Sequence, residues 1–368
     1  NFLRITAGAM SSAMLIGLCA AGVPAKVVAA TEHWNDASES ATKWTQWKNN
    51  WNNYSSNYEH VSLTPGADET QLNFAWYSHT AETPSVRIAT KQNMDGAKEF
   101  AGTQTDAVTI DGVKYFSNKA IVKDLKENTK YYYQVFQNGK WQDAESYTTK
   151  SFNSFSFLYV GDPQIGASKN QTSTEQEKMV SAGNEVSSSA ADNLAARNDG
   201  YNWNNILNDA IKDHGDVSFI VSAGDQVNAG KNEREYAAYL GADALASLPV
   251  ATTIGNHDSV SNQYTLHFNN PNAFSDTDAN YIQGKTDAGT DYYYRYGNTL
   301  FMVLDTNNYN CATHENVMKK AISENKDAKW RIVVFHQDIY GSGYDHSDSD
   351  GMVLRTQLTP LMDKYDVD

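Results

Sequence analysis

The sequence predicts two unlike domains in series, a β-sandwich followed by an α/β layered domain. Three observations lead there. Between about residues 60 and 149, short alternating strands are separated by turn residues. From Phe155 onward, continuous apolar runs alternate with helical patterns. At 368 residues, the chain is also too long for one average domain.

The first thirty residues read as an export signal. Arg4 supplies a positive start, residues 13–21 form a short apolar core, and Val28-Ala29-Ala30 offers a small-residue cleavage site before Thr31. The core is too short to span a bilayer, so no stable membrane span is expected after cleavage. A secreted or cell-surface location follows. Of Cys19 and Cys311, only Cys311 survives such processing, which leaves no internal disulfide.

Residues 31–58 form a polar, helical linker. Trp44, Trp47 and Trp51 fall at helical spacing, as expected of a helix packed against the next domain. Residues 59–150 carry strands at 71–77, 85–90 and 131–135, punctuated by Pro65-Gly66, Asp111-Gly112 and Asn138-Gly139. That spacing predicts a sandwich of roughly a hundred residues. Residues 151–368 carry buried-strand runs at 157–160, 217–221, 250–254, 300–304 and 331–335. Helical patterns occupy 202–213, 233–246, 315–324 and 353–364. Residues 168–200, rich in Ser, Ala and Asn, read as a long surface loop at the mouth of a site. Tyr292 to Tyr296 reads as an edge strand, and Tyr340, Tyr344 and His346 as a solvated loop.

Hydrophobic residues make up 40% and aromatics 12%, enough for two cores. The formal net charge of -15 argues against a nucleic-acid-binding surface, which needs a basic footprint. It leaves small phosphate substrates open, because bound cations dominate the local field of a metal site.

The chemistry gathers at strand ends. The first run of the α/β domain exits into Gly161-Asp162-Pro163-Gln164 and the second into Gly224-Asp225-Gln226-Val227-Asn228. Carboxylates just past buried strands stand where open α/β sheets place ligands. Asp162 taken alone is as readily a turn or a helix cap; two such ends in register point to hard cations, which prefer oxygen ligands. The third run exits into Gly255-Asn256-His257-Asp258, with an amide oxygen for a metal and an imidazole beside it. His336 follows the run at 331–335, and Asp305, after the run at 300–304, supports the site from behind.

The order Gly-Asp, Gly-Asp-x-x-Asn, Gly-Asn-His-Asp and His resembles the calcineurin-like metallophosphoesterase superfamily. More narrowly, the chain resembles secreted bacterial proteins with a purple acid phosphatase-type N-terminal module, carried by residues 61–66, Trp76 and residues 125–133. The last segment is similar to a strand entry of fibronectin type III-like modules. The resemblance covers residues from about 60 to 368. It implies a layered αββα sandwich and two divalent or trivalent metal ions such as Fe, Zn or Mn. Asp162 would bind the first ion, Asp225 would bridge both, and Asn256 and His336 would bind the second. His257 would touch the substrate phosphate or protonate the leaving oxygen, and Asn228 would orient its neighbours. The implied reaction is in-line attack on phosphorus by a metal-bound hydroxide.

The chain departs from this pattern in three places. Gln164 stands where many relatives carry histidine, which implies a weaker ligand at the first metal. Asn228 stands where purple enzymes carry tyrosine, so their colour is not expected. The chain ends at Asp366-Val367-Asp368, before the family's Gly-His-x-His block. A C-terminally truncated domain that binds metals poorly is the expectation. The function expected is that of an exported, acid phosphatase-like enzyme acting on phosphate monoesters. A phosphodiesterase or nucleotidase of the same superfamily is one alternative. A non-catalytic surface-binding protein with a degenerate phosphoesterase domain is the other.

Overall fold

A computed structural model describes residues 37–170, 188–274, 285–341 and 349–368. The expected export signal, Cys19, Tyr344 and His346 lie outside the described residues. Alternation of buried and exposed side chains builds the first domain. Its strands are β1 (Ser62–Pro65), β2 (Leu72–Ser78), β3 (Ser85–Ala89), β4 (Lys98–Ala101), β5 (Thr103–Ile110), β6 (Val113–Val122), β7 (Lys130–Gln137), β8 (Lys140–Trp141) and β9 (Glu145–Thr148). One antiparallel sheet runs β1-β2-β6-β5; the other runs β4-β3-β7-β8, with β9 added to β7. Leu72, Phe74 and Trp76 of β2 meet Val86 and Ile88 of β3 and Tyr133 and Val135 of β7 in the shared core.

Strand β2 is buried at every position, although its sequence alternates. Its outward face is covered by the second domain. Asn73 Nδ2 donates to Asn269 O at 2.8 Å, and Ser117 Oγ of the neighbouring β6 donates to Leu266 O at 2.7 Å. Asn269 Nδ2 returns bonds to the carbonyls of Phe74 and Ala120.

The second domain has two sheets. Strands β10 (Ser156–Val160), β11 (Val217–Ser222) and β12 (Val250–Thr252) are parallel. Strands β13 (Tyr292–Tyr296), β14 (Thr299–Val303) and β15 (Trp330–Val334) form the other sheet, with β13 antiparallel at its edge and β14 parallel to β15. The sheets face each other across an aromatic layer in which Phe157 stacks on Phe219, and Phe219 meets the edge of Phe301. Helices α1 (Ala37–Ser55), α2 (Ser188–Asp213) and α3 (Glu233–Leu240) cover the first sheet. The short α4 (Gln263–His267) leads into the domain interface, while α5 (Cys311–Glu324) and α6 (Ser349–Lys364) cover the second sheet. The result is the expected αββα layering behind a sandwich. Among the described residues, no helix is long and apolar enough to cross a membrane.

Two local expectations change. Of the stretch read as a loop over 168–200, residues 171–187 lie outside the described residues, and α2 begins at Ser188. Its buried stripe, Ala196, Gly200, Trp203 and Leu207, is built partly from residues too small to register as a hydrophobic period. The tryptophan helix does pack on a domain, but not on the sandwich that follows it. Trp47 Nε1 donates to Arg197 O at 2.9 Å and Trp51 Nε1 to Asn193 Oδ1 at 2.7 Å, so α1 docks on α2.

Candidate metal centre

Strands β10, β11 and β12 each deliver their motif at the C-terminal edge of the first sheet, and β15 delivers His336 at the matching edge of the second. The loops are laced by backbone bonds: Ala223 N to Val160 O at 2.7 Å, Asp162 N to Gly224 O at 3.1 Å, and Gln164 N to Asp225 O at 2.8 Å. Asp162 and Asp225 both take a left-handed conformation, each with φ of 51°. Such a turn costs about 1 kcal/mol in a residue with a Cβ, least for Asp, and persists only where its surroundings enforce it. Close approach enforces glycine beside them. A Cβ on Gly224 would lie 2.6 Å from His336 Nδ1, and one on Gly255 would overlap the Asp225 carboxylate.

Ligand atoms of Asp162, Asp225 and His336 all lie within 4.8 Å of one another. Asp225 is 3% exposed. Its Oδ1 accepts from His257 N at 2.9 Å, and its Oδ2 stands 3.5 Å from His336 Nε2. His336 Nδ1 donates to Ala223 O at 3.0 Å, which fixes the ring and turns Nε2 toward Asn256 Oδ1 at 2.9 Å. Burial alone would lower the His336 pKa. The hydrogen bond and charge of Asp225, with the charge of Asp162, outweigh it and raise the pKa to about 9. Two carboxylates, an amide oxygen and one imidazole therefore converge with excess negative charge. That donor set suits a divalent or trivalent cation of the Fe, Zn or Mn kind, so the residues fit the group.

His257 sits at the rim, its side chain 34% exposed and its Nε2 4.0 Å from Asp225 Oδ2. Nδ1 donates to Asn228 O at 2.6 Å, so Asn228 sets the tautomer through its backbone. The free Nε2 meets the Gln164 amide nitrogen at 2.9 Å, and that nitrogen also reaches Asn228 Oδ1 at 3.4 Å. Gln164, expected among the ligands, thus directs its amide nitrogen at the neighbouring imidazole. Asp305 lies behind the cluster, 2% exposed, accepting from Thr286 Oγ1 at 2.6 Å and Asn307 Nδ2 at 2.9 Å. Burial pushes its carboxyl up to about 6.

Four residues of the site escaped the sequence reading. Asp258 is fully buried, and its Oδ2 accepts from Gln226 Nε2 at 2.7 Å and Gly255 N at 3.0 Å. Burial, then the charge of Asp225, raises Asp258 to about 7 against these bonds. Asn307 and Gln337 tie the loops together. Asp258 and Gln226 lie inside the quoted motifs and were there to be found. Asn307 and Gln337 carried no signal beyond adjacency to Asp305 and His336.

The family model for calcineurin-like phosphoesterases matches residues 155–368, and the model for the N-terminal domain of purple acid phosphatases matches residues 58–149. Among solved structures, the chain is similar to a purple acid phosphatase isolated from yellow lupin (Lupinus luteus) seeds. The TM-score is 0.57 at 15% identity, covering 84% of this chain and 57% of that one. The structure of PhoD aligns with a TM-score of 0.46 at 11% identity, over 84% of this chain and 70% of that one. No curated protein matches the chain. The chain thus spans 57% of the lupin protein's length, and at 15% identity that likeness concerns the fold alone.

Proposed function

The chain belongs to the calcineurin-like phosphoesterase family, and on that premise we propose that it is an exported, metal-dependent hydrolase of phosphate monoesters working with two metal ions. The observation that carries this reading is the convergence of Asp162, Asp225 and His336 within 4.8 Å at the ends of strands from two sheets. Asp162 would hold one ion, Asn256 and His336 the other, and Asp225 both. Bound there, the ions supply a nucleophilic water of lowered pKa and positive charge against the attacking and leaving oxygens.

The remaining work falls to the chain's own residues. The bond from His257 N anchors Asp225 Oδ1 and holds the carboxylate in one orientation. The Asn228 carbonyl keeps the Nδ1 proton of His257 in place, so proton traffic passes through Nε2 at the open rim. A protonated Nε2 gives its proton to the departing alkoxide, a contribution of about 10²–10⁴ in rate. Rotation of the Gln164 amide, now bonded to Nε2 through nitrogen, lets its oxygen accept that N–H instead.

Monoester preference is supported by the match of residues 58–149 to the purple acid phosphatase N-terminal domain. Export is supported by the sequence of residues 13–30. The test is hydrolysis of an aryl phosphate monoester and the matching diester, with metal content measured on the same sample. The expected result for the full-length protein is faster monoester turnover that a chelator abolishes, with about two metals per chain. Faster diester turnover overturns the substrate class, and chelator-resistant turnover overturns the mechanism. N-terminal sequencing of protein recovered from outside the cells should begin at Thr31. A retained leader would refute export through that cleavage site.

A further inference from the structure

We propose that Asn307 is a positioning residue for the metal centre, a polar brace that sets the spacing between Asn256 and His336. The inference rests on the reading of those two residues as ligands. They arrive from different sheets: Asn256 follows β12, and His336 follows β15. Between the sheets lies an aromatic layer. Apolar packing of that kind is non-directional and tolerates small shifts that a coordination sphere does not.

Asn307 spans the gap with one side-chain amide. Its Nδ2 donates toward Ile254 O at 3.1 Å and Gly255 O at 3.2 Å, the two carbonyls just before Asn256. Its Oδ1 accepts from Gln337 Nε2 at 2.9 Å, in the residue just after His336. Gln337 Oε1 is in turn held by Thr306 Oγ1. A single planar group therefore fixes one neighbour of each ligand.

The brace has its own anchorage. Asp305 Oδ1 accepts from Asn307 Nδ2 at 2.9 Å, and Asp305 N donates to Asp291 Oδ1 at 2.7 Å. The other Asp291 oxygen pairs with His314 Nδ1 at 2.7 Å, and His314 Nε2 donates to Asn308 O at 2.9 Å. The buried pair of α5 and the loop before β13 thus grips the turn at 305–308 from both ends. Asparagine suits the position because the amide must donate toward carbonyls and accept from another amide at once. Aspartate would face two carbonyls and a carboxylate with a further oxygen.

The test is titration of chelator-treated protein with Mn²⁺ alone, following free Mn²⁺ by electron paramagnetic resonance, beside the thermal melt of the metal-free protein. Wild type, Asn307→Ala and Gln337→Leu are compared. Groups that orient metal ligands typically govern about 10–100-fold in affinity. Asn307→Ala should weaken Mn²⁺ binding by that order, and Gln337→Leu by less, each beside a modest fall in metal-free melting from the hydrogen bonds removed. Should Asn307→Ala fail to fold, Gln337→Leu decides alone. Wild-type Mn²⁺ affinity in the variants that fold overturns the brace while leaving the metal site standing. Lower metal-free melting with unaltered Mn²⁺ affinity makes Asn307 purely structural and overturns it equally. Failure of the full-length wild-type protein to bind Mn²⁺ overturns the reading of the ligands and the brace with it.

Discussion

Two of the places where the molecule buries histidine against carboxylate have opposite outcomes. At the domain interface, His267 Nε2 pairs with Glu233 Oε2 at 2.7 Å, and Tyr77 OH donates to Glu233 Oε1 at 3.2 Å. The rings of Tyr77 and Tyr236 stack on the imidazole, each 4.4 Å away. Both carboxylate oxygens have donors, and the imidazole is sandwiched between aromatic rings. At the strand ends, His336 stands 3.5 Å from Asp225 with Asp162 in the same cluster, so carboxylates outnumber the imidazole. Histidine and carboxylate make a joint where each oxygen has its donor, and a ligand set where carboxylates outnumber the imidazole.

That contrast breaks most sharply at Asp225. Asp225→Ala should abolish Mn²⁺ binding and reduce hydrolysis to background, because the carboxylate placed between the two ion sites has gone. Full activity in this variant would falsify the shared-ligand role. The joint should answer in the opposite sense. Glu233→Ala strands His267 and the Tyr77 hydroxyl in the interface, and breaking a buried pair from one side costs about 3–5 kcal/mol. Urea unfolding should show that loss with Mn²⁺ affinity intact; unchanged stability would deny Glu233 its place in the joint.

A smaller effect sharpens the comparison through pH. Because the folded pKa of His336 is raised from 6.5 to about 9, a metal must displace its Nε2 proton across that window. Mn²⁺ affinity should climb by up to about tenfold per pH unit toward pH 9 and then level. The metal-free protein should show the reverse. Stability from the protonated ring is complete below pH 6.5 and is lost as pH rises through about 9. Mn²⁺ binding that is flat with pH would remove His336 from the ligands. At the bottom of the scale, Lys320→Ala deletes an exposed ion pair with Glu324 one helical turn away. It should cost about 0.3–0.5 kcal/mol in urea unfolding, a baseline against which the other losses are judged.

The centre was legible because its parts are local. A glycine, then an acid or amide, at the exit of an apolar run survives as a pattern in one dimension, and three such exits name one edge of a sheet. Asn307 was not legible, since its meaning lies in carbonyls at 254 and 255 and an amide at 337. The first turns of α2 were missed for a different reason. Ala196 and Gly200 pack through closeness and not bulk, so the helix face they form leaves no hydrophobic period to read. Strand β2 alternates as a half-exposed strand should, and only the second domain buries its other face.

Helix α1 has a consequence in time. Its indole partners Arg197 and Asn193 lie 150 and 142 residues further along the chain, so at ordinary rates of synthesis they emerge about 7–30 s after the tryptophans. During that interval the whole sandwich is made, while Trp47 and Trp51 still lack their partners. Burial of these two rings therefore marks the arrival of residues 193–203, before strands β11 to β15 have been made.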